Sequence, residues 1–295
     1  MIKRIAIIGV GLLGSAVASR LLAGGFAVSG WDSRPDQLSA LRPRGLKSAA
    51  SLKDAVTGAE AVFTILPSLE TVEGVILGPG GLLGSLAPSA TLIQMSTISP
   101  TLTRRLGEAA AAAGIGFLDT PMSGTSAMVE RGDCTIFAGG DAALVEACRP
   151  VFAAIARRTV HVGPIGSASL AKLATNLLVG LNTAALAEAL VLGAKGGLAP
   201  QALLDILKDS AAASKMVDVR GPLMVEHRFD PQMKLELFLK DFRLMLEEAQ
   251  RLGVALPLTS LTQQLCTATA AAGRGGEDLA VLITTLERMA GIERP

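Results

Sequence analysis

The 295-residue chain has no tyrosine, one tryptophan, two histidines and three cysteines. Without tyrosine, a Ser-Tyr-Lys mechanism of carbonyl reduction is impossible. The two histidines, His161 and His227, give little support to a histidine-based dehydrogenase or a multi-histidine metal site, and no metal is expected. His161 reads as a structural residue in a strand near a domain junction, and His227 as a solvated residue in a polar loop. Cys134, Cys148 and Cys266 lie far apart and form no CxxC. They read as buried small hydrophobes in a reducing compartment, neither disulfides nor zinc ligands. Aromatics make up 3% of the chain and the net charge is +1. Base-stacking platforms and an electrostatic footprint for nucleic acid are therefore both missing. Residues 1–30 show no cleavage-site pattern. No run of 18 apolar residues free of charge and glycine clusters suggests a membrane span. A cytoplasmic chain with neither nucleic acid nor membrane as partner is the expectation.

Half of the residues are hydrophobic, enough for one large or two medium domains with real cores. The N-terminal half alternates short apolar runs with helical patterns. "RIAIIGVG", "AVSGWD", "AVFTIL", "ATLIQMS", "GIGFLDTP", "DCTIFAGG" and "TVHVG" read as strands. Helical patterns fall at 35–44, 51–57, 70–77, 100–113 and 141–156. This rhythm predicts a mainly parallel sheet covered by helices. Beyond Gly166 no convincing strand remains. One long apolar helix is predicted at 167–195, another opens at Pro200, and more follow at 214–226, 238–252, 257–272 and 277–289. The expected division is an α/β domain at 1–164 and an all-helical domain at 165–295.

"IAIIGVGLLGSAV" follows a strand and opens a helix, the context that a GxGxxG loop requires. The loop comprises Gly9, Val10, Gly11, Leu12, Leu13 and Gly14. Gly9 permits the tight turn, Gly11 lets backbone approach a pyrophosphate, and Gly14 allows close helix–strand packing. Free N–H groups and partial positive charge at the helix start complete a phosphate site. The bland alternative is a glycine turn in some other α/β fold. Asp32 ends the second strand 18 residues after Gly14, near where an acid would bind the ribose hydroxyls of NAD and repel a 2′-phosphate. Ser33 and Arg34 beside it offer partners to that phosphate, so NAD is favoured and NADP stays possible. As an alternative, Asp32 is a turn or cap residue before Pro35.

In "FLDTPMSGTSAMVERGDCTIFAGG" a strand ends in Asp119-Thr120-Pro121, and Ser123, Gly124 and Thr125 form a loop. A hydroxyl and successive backbone N–H groups at a strand's C-terminal end suit a carboxylate. An ordinary Pro-Ser-Gly turn fits the same residues equally well.

Together, "IGVGLLGSAVASRLLAGG", "MSTISP", "LDTPMSG", "GPIGSASLAKLATN" and "LKDFRLMLEEA" resemble the β-hydroxyacid dehydrogenase family over essentially the whole chain. The family includes 3-hydroxyisobutyrate dehydrogenase, tartronate semialdehyde reductase and glyoxylate/succinic semialdehyde reductases. The resemblance implies a Rossmann domain followed by an all-α domain, joined by a long interdomain helix. It also implies NAD(P)-dependent hydride transfer between a small β-hydroxyacid and its aldehyde acid. Lys172 matches the family's catalytic lysine and Asn176 its neighbouring asparagine. Ser123 and Gly124 match the substrate-binding pair, with Thr125 where a second glycine is usual. Leu66-Pro67 and Thr97 match cofactor contacts, and Lys240 the lysine of a Lys-Asp pair near the nicotinamide end. Thr125, Ala168, Thr175 and Met122 depart from the commonest pattern, so the resemblance assigns a substrate class and no single substrate.

On spacing alone Lys172 reads as a lysine that snorkels from a helix face into water. The resemblance makes it the general acid/base. It shares a helix face with Asn176. The positive end of the helix and partial burial both oppose its charged form, which suits proton exchange near neutral pH. The bland reading of Lys240 is a helix charge paired with Glu236 or Asp241. Trp31 packs near the adenine pocket or simply caps the sheet. Imine reduction on the same scaffold and a non-catalytic dinucleotide sensor are the alternatives. Lys172 argues against the first, because imine reductases generally lack a lysine there. The 167–195 helix is too apolar for one small helical domain to cover, which predicts a homodimer or homotetramer.

Overall fold

The computed structural model describes residues 2–292. Its chain divides into two compact units between Lys172 and Leu173.

The first unit is built on nine strands. These are β1 (Arg4–Ile8), β2 (Ala27–Trp31), β3 (Lys47–Ser48), β4 (Ala61–Thr64), β5 (Thr91–Gln94), β6 (Gly116–Asp119), β7 (Met122–Ser123), β8 (Thr135–Gly139) and β9 (Arg158–Gly163). The order is β3-β2-β1-β4-β5-β6-β8-β7, with β9 also on β8. Neighbours are parallel throughout, except where β8 runs against β6 and β7. Alternation within β1 sends Ile5 and Ile7 to one face and Ala6 and Ile8 to the other, and both sets are fully covered. The first face packs on α1 (Leu12–Ala23) and α6 (Ala142–Ile155) through Val17, Leu21, Val145 and Phe152. The second packs on α3 (Leu69–Leu77) and α4 (Pro100–Ala112) through Val72, Ile76, Leu102 and Leu106. A mainly parallel, doubly covered sheet is what the strand–helix rhythm predicts. Short α2 (Leu52–Val56) and α5 (Ser126–Glu130) complete the unit.

Helix α7 runs from Ser167 to Lys195, matching the predicted bounds. Its first turns belong to the first unit and the remainder to the second. The second unit also holds α8 (Pro200–Lys208), α9 (Lys215–Glu226), α10 (Leu235–Leu252), α11 (Pro257–Thr269) and α12 (Ile283–Met289).

Several details differ from the sequence expectation. Residues 35–44 form a 3₁₀ stretch, not an α-helix, and Pro43 within it cannot donate to a helical ladder. Helix α10 starts three residues early because the Leu235 and Glu236 N–H groups find distant carbonyls, those of Glu277 and Gly275. Helix α11 stops at Thr269, before a wider turn in which Gly273 sits at φ +86°. The reading also expected no span-length apolar run. By length and composition α7 is one, yet Lys172, Asn176 and Thr183 are buried along it, as are Leu173, Leu186, Ala187 and Leu190.

Candidate active site

The glycine loop follows β1, and the Gly9 N–H donates to the Trp31 carbonyl at 2.9 Å. Two of its three glycines are required by the protein itself. A Cβ at Gly9, where φ is +93°, would stand 2.2 Å from the Ile65 carbonyl oxygen. One at Gly14 would stand 2.0 Å from the Gly9 carbonyl oxygen. Gly11 differs: its φ is negative, and a Cβ there would meet nothing within 4 Å. Neither backbone conformation nor packing calls for glycine at 11. What it keeps open is space above an α1 N-terminus that carries no side-chain cap. Backbone N–H groups facing a clear approach fit the pyrophosphate of a dinucleotide. Leu12 is exposed and Leu13 half-buried beside that space, whereas Val10 is wholly buried.

Asp32 braces the loop. Its Oδ2 accepts the Val10 N–H at 2.8 Å and its Oδ1 the Arg34 N–H at 2.9 Å. Asp32 thus fills the turn role, and the second lone pair on each carboxylate oxygen leaves it able to accept further hydrogen bonds. Ser33 and Arg34 are exposed. Leu66 and Pro67 follow β4, and Thr97 follows β5. Sequence reasoning missed what ties them together: the Ser96 hydroxyl accepts the Leu66 N–H at 2.8 Å, and buried Gln94 bonds the Ser96 main chain on both sides.

Ser123 lies in β7, opposite Thr135 of β8. Gly124 sits at φ +150°, and a Cβ there would press to 2.8 Å from Cys134 Cβ. The Thr125 hydroxyl caps α5 by accepting the Met128 N–H. All three residues are half-buried. Within the same unit Lys172 stands in the second turn of α7, 9% exposed. That burial does not fit a lysine stretched into solvent. The same helix start is held by Asp119 of β6, which is fully buried. Burial pushes its carboxyl up to about 6, against the pull of hydrogen bonds from Ser169 and Gly166. The sequence reading placed Asp119 at a strand end and gave it no role.

In the second unit Asn176 Nδ2 donates to Asp241 Oδ2 at 2.7 Å, and Lys240 Nζ pairs with Asp241 Oδ1 at 3.2 Å. One carboxylate gathers both residues. Glycine at 180 makes the approach possible, since a Cβ there would meet the Phe242 ring at 2.6 Å. Lys240 therefore has the Asp241 partner of its bland reading.

His161 of β9 places its Nε2 3.0 Å from the carbonyl oxygen of Gly140, just after β8. His227 corrects its expectation. It closes α9 at φ +52°, and its ring pairs with the buried Glu287 carboxylate at 2.9 Å. Among the described residues no group of three or more potential metal ligands occurs.

Residues 4–163 match the NAD binding domain of 6-phosphogluconate dehydrogenase. Residues 166–286 match the NAD-binding domain of NADP-dependent 3-hydroxyisobutyrate dehydrogenase. The chain is 33% identical to 2-(hydroxymethyl)glutarate dehydrogenase of Eubacterium barkeri, over 98% of this chain and 96% of that one. It superposes on 3-hydroxyisobutyrate dehydrogenase of Mycobacterium tuberculosis, solved with L-serine, at a TM-score of 0.88 and 29% identity, covering 97% and 99% of the two chains. An imine reductase from Myxococcus stipitatus, solved with NAD+, aligns at 0.67 and 22% identity over 97% of this chain and all of that one, a likeness of fold alone.

Proposed function

Because the chain belongs to the β-hydroxyacid dehydrogenase family of NAD(P)-dependent oxidoreductases, we propose that it interconverts a small β-hydroxyacid and its aldehyde acid, with Lys172 as general acid/base. The burial of Lys172 one helical turn before Asn176 is the observation that carries this reading. The compounds named for the relatives, 2-(hydroxymethyl)glutarate, 3-hydroxyisobutyrate and L-serine, share the unit HOCH₂–CH(R)–COO⁻. That unit is the proposed substrate class.

The nicotinamide, when bound, accepts or supplies the hydride. The residues around Gly11 and Asp32 hold its phosphates and ribose. Asp32 favours NAD over NADP. Ser123 and the Gly124–Thr125 backbone receive the substrate carboxylate. In oxidation, neutral Lys172 Nζ takes the proton of the primary hydroxyl; in reduction its ammonium returns that proton to the developing alkoxide. Asn176 orients the proton-transfer geometry, and Lys240 serves the nicotinamide end. Leu170, Leu178 and Leu192 leave an apolar stripe of α7 exposed, which supports a homodimer or homotetramer. A monomer by light scattering at micromolar concentration would reject that assembly.

The deciding experiment is a turnover screen of hydroxyacids of this class with NAD+ and NADP+, run on the unmodified protein and on Lys172→Ala. Acids turn over and their amides do not. The alanine variant keeps its NADH affinity and loses ~10²–10⁴ in kcat, the range for a positioned acid–base group. Lys172→Arg fails as well, since guanidinium does not release its proton near neutral pH. An alanine variant with most of its activity intact would move the proton elsewhere, with Lys240 the next residue to test.

A further inference from the structure

Helix α7 begins without a cap of its own. The residue before it, Gly166 at φ +93°, has no side chain to offer. The cap comes from Asp119 at the end of β6. Its Oδ2 accepts the Gly166 N–H at 3.1 Å and the Ser169 N–H at 2.8 Å, and its Oδ1 accepts the Ser169 hydroxyl at 2.8 Å. Ser169 Oγ also lies 2.8 Å from Thr103 Oγ1 in α4. Strand β6 and the start of α7 therefore meet at one buried carboxylate, which α4 reaches through the Ser169 hydroxyl. A local Ser or Asn would cap a helix without carrying a charge into the interior.

Two segments with proposed roles leave this point. Ser123 follows Asp119 by four residues, and Lys172 follows Ser169 by three. We propose that Asp119 is a positioning residue for the chemistry read above at Lys172: anchored in β6, it fixes the first turn of α7 and the strand leading into the Ser123 loop to a common point. The lysine is thereby held at a set height relative to the substrate hydroxyl. The inference rests on that functional reading.

Asp119→Asn keeps size and one acceptor and removes the anionic cap. It is compared with Ser169→Ala, which deletes one of the three bonds, and with Val151→Ala, a buried change in α6 that lowers stability without touching the cap. Each protein is assayed for unfolding, NADH affinity, kcat and KM on the best acid of the screen. The rate of Lys172 acetylation by an N-hydroxysuccinimide ester is followed by peptide mass mapping. Asp119→Asn binds NADH normally, keeps its KM, and loses ~10–100-fold in kcat, as displacement of a reacting group by a fraction of an ångström to 1 Å does. Its Lys172 acetylation rate changes, and Ser169→Ala shows the same pattern more weakly. Val151→Ala changes neither. Unaltered kcat in Asp119→Asn, or an equal kcat loss in Val151→Ala at equal stability, overturns the proposal. If the unmodified protein turns over no acid of the class, the functional reading fails instead. The Lys172 acetylation rate still decides the positioning, and equal rates in the two proteins reject it. Should Asp119→Asn not fold, Ser169→Ala is scored by the same criteria.

Discussion

Each unit is organised around a fully buried aspartate, and the two handle their charge differently. Asp278 in the second unit accepts the N–H groups of Gln232, Met233 and Ala280, and it pairs with Arg220 Nε at 3.1 Å. The Arg220 side chain is itself only 5% exposed. Asp119 in the first unit also gathers backbone N–H groups, but its hydrogen bonds come from amides and a hydroxyl, and burial drives its carboxyl up. A charge neutralised by a neighbouring cation is a structural rivet. A charge held only by dipoles stays responsive to pH. Asp32, half-buried with both oxygens engaged by N–H groups, is a third case, still accessible to a ligand.

Three experiments test this contrast. The largest effect falls on the riveted site. Arg220→Met strands the Asp278 carboxylate in the interior and lowers stability by ~3–5 kcal/mol, measured by urea unfolding. Neutralising both partners, with Asp278→Asn added, is milder than removing Arg220 alone. If the single change were harmless, the pairing would not be what separates the two sites.

Asp119 predicts a dependence on pH. Its carboxyl is raised from 3.8 to about 6 in the folded protein, so the native state holds the proton more tightly than the unfolded chain. Stability from this group is complete below pH ~4 and declines as pH rises to ~6, by on the order of 3 kcal/mol. Asp119→Asn, which cannot ionise, lacks that decline. Parallel curves for the two proteins from pH 4 to 7 would show that the Asp119 carboxyl adds no such dependence.

The smallest effect is expected at Asp32. Asp32→Ser removes the repulsion of a 2′-phosphate and frees Arg34, shifting the NADH-to-NADPH affinity ratio by roughly tenfold, about 1.4 kcal/mol. Tighter NADPH binding by the unmodified protein would reverse the assignment of cofactor preference.

The same contrast explains what could be read from the sequence. The glycine loop and the bounds of α7 are local patterns, and spacing alone located them. The parallel sheet was equally legible, because apolar runs alternate with helical periods. The 3₁₀ stretch at 35–44 escaped because its apolar spacing resembles a helix despite Pro43. The early start of α10 depends on carbonyls some forty residues away. Asp119 was visible as a strand end, but its partners Gly166 and Ser169 lie 47 and 50 residues downstream, beyond any spacing rule. His227 looked solvated for the same reason: Glu287, its partner, is 60 residues distant.

Trp31 closes β2, half-buried, and its carbonyl receives the N–H of Gly9. It is the chain's only tryptophan, and there is no tyrosine. The indole emission of the whole protein therefore originates at one residue, at the end of β2 beside Asp32, with its side chain against the cluster that α3 and α4 cover. Cofactor binding near β2 can be followed through a chromophore already in place, without label or engineered probe. The variants at Lys172, Asp119, Ser169 and Arg220 all keep this residue, so a change in indole emission on adding cofactor can be followed in each before any turnover is measured.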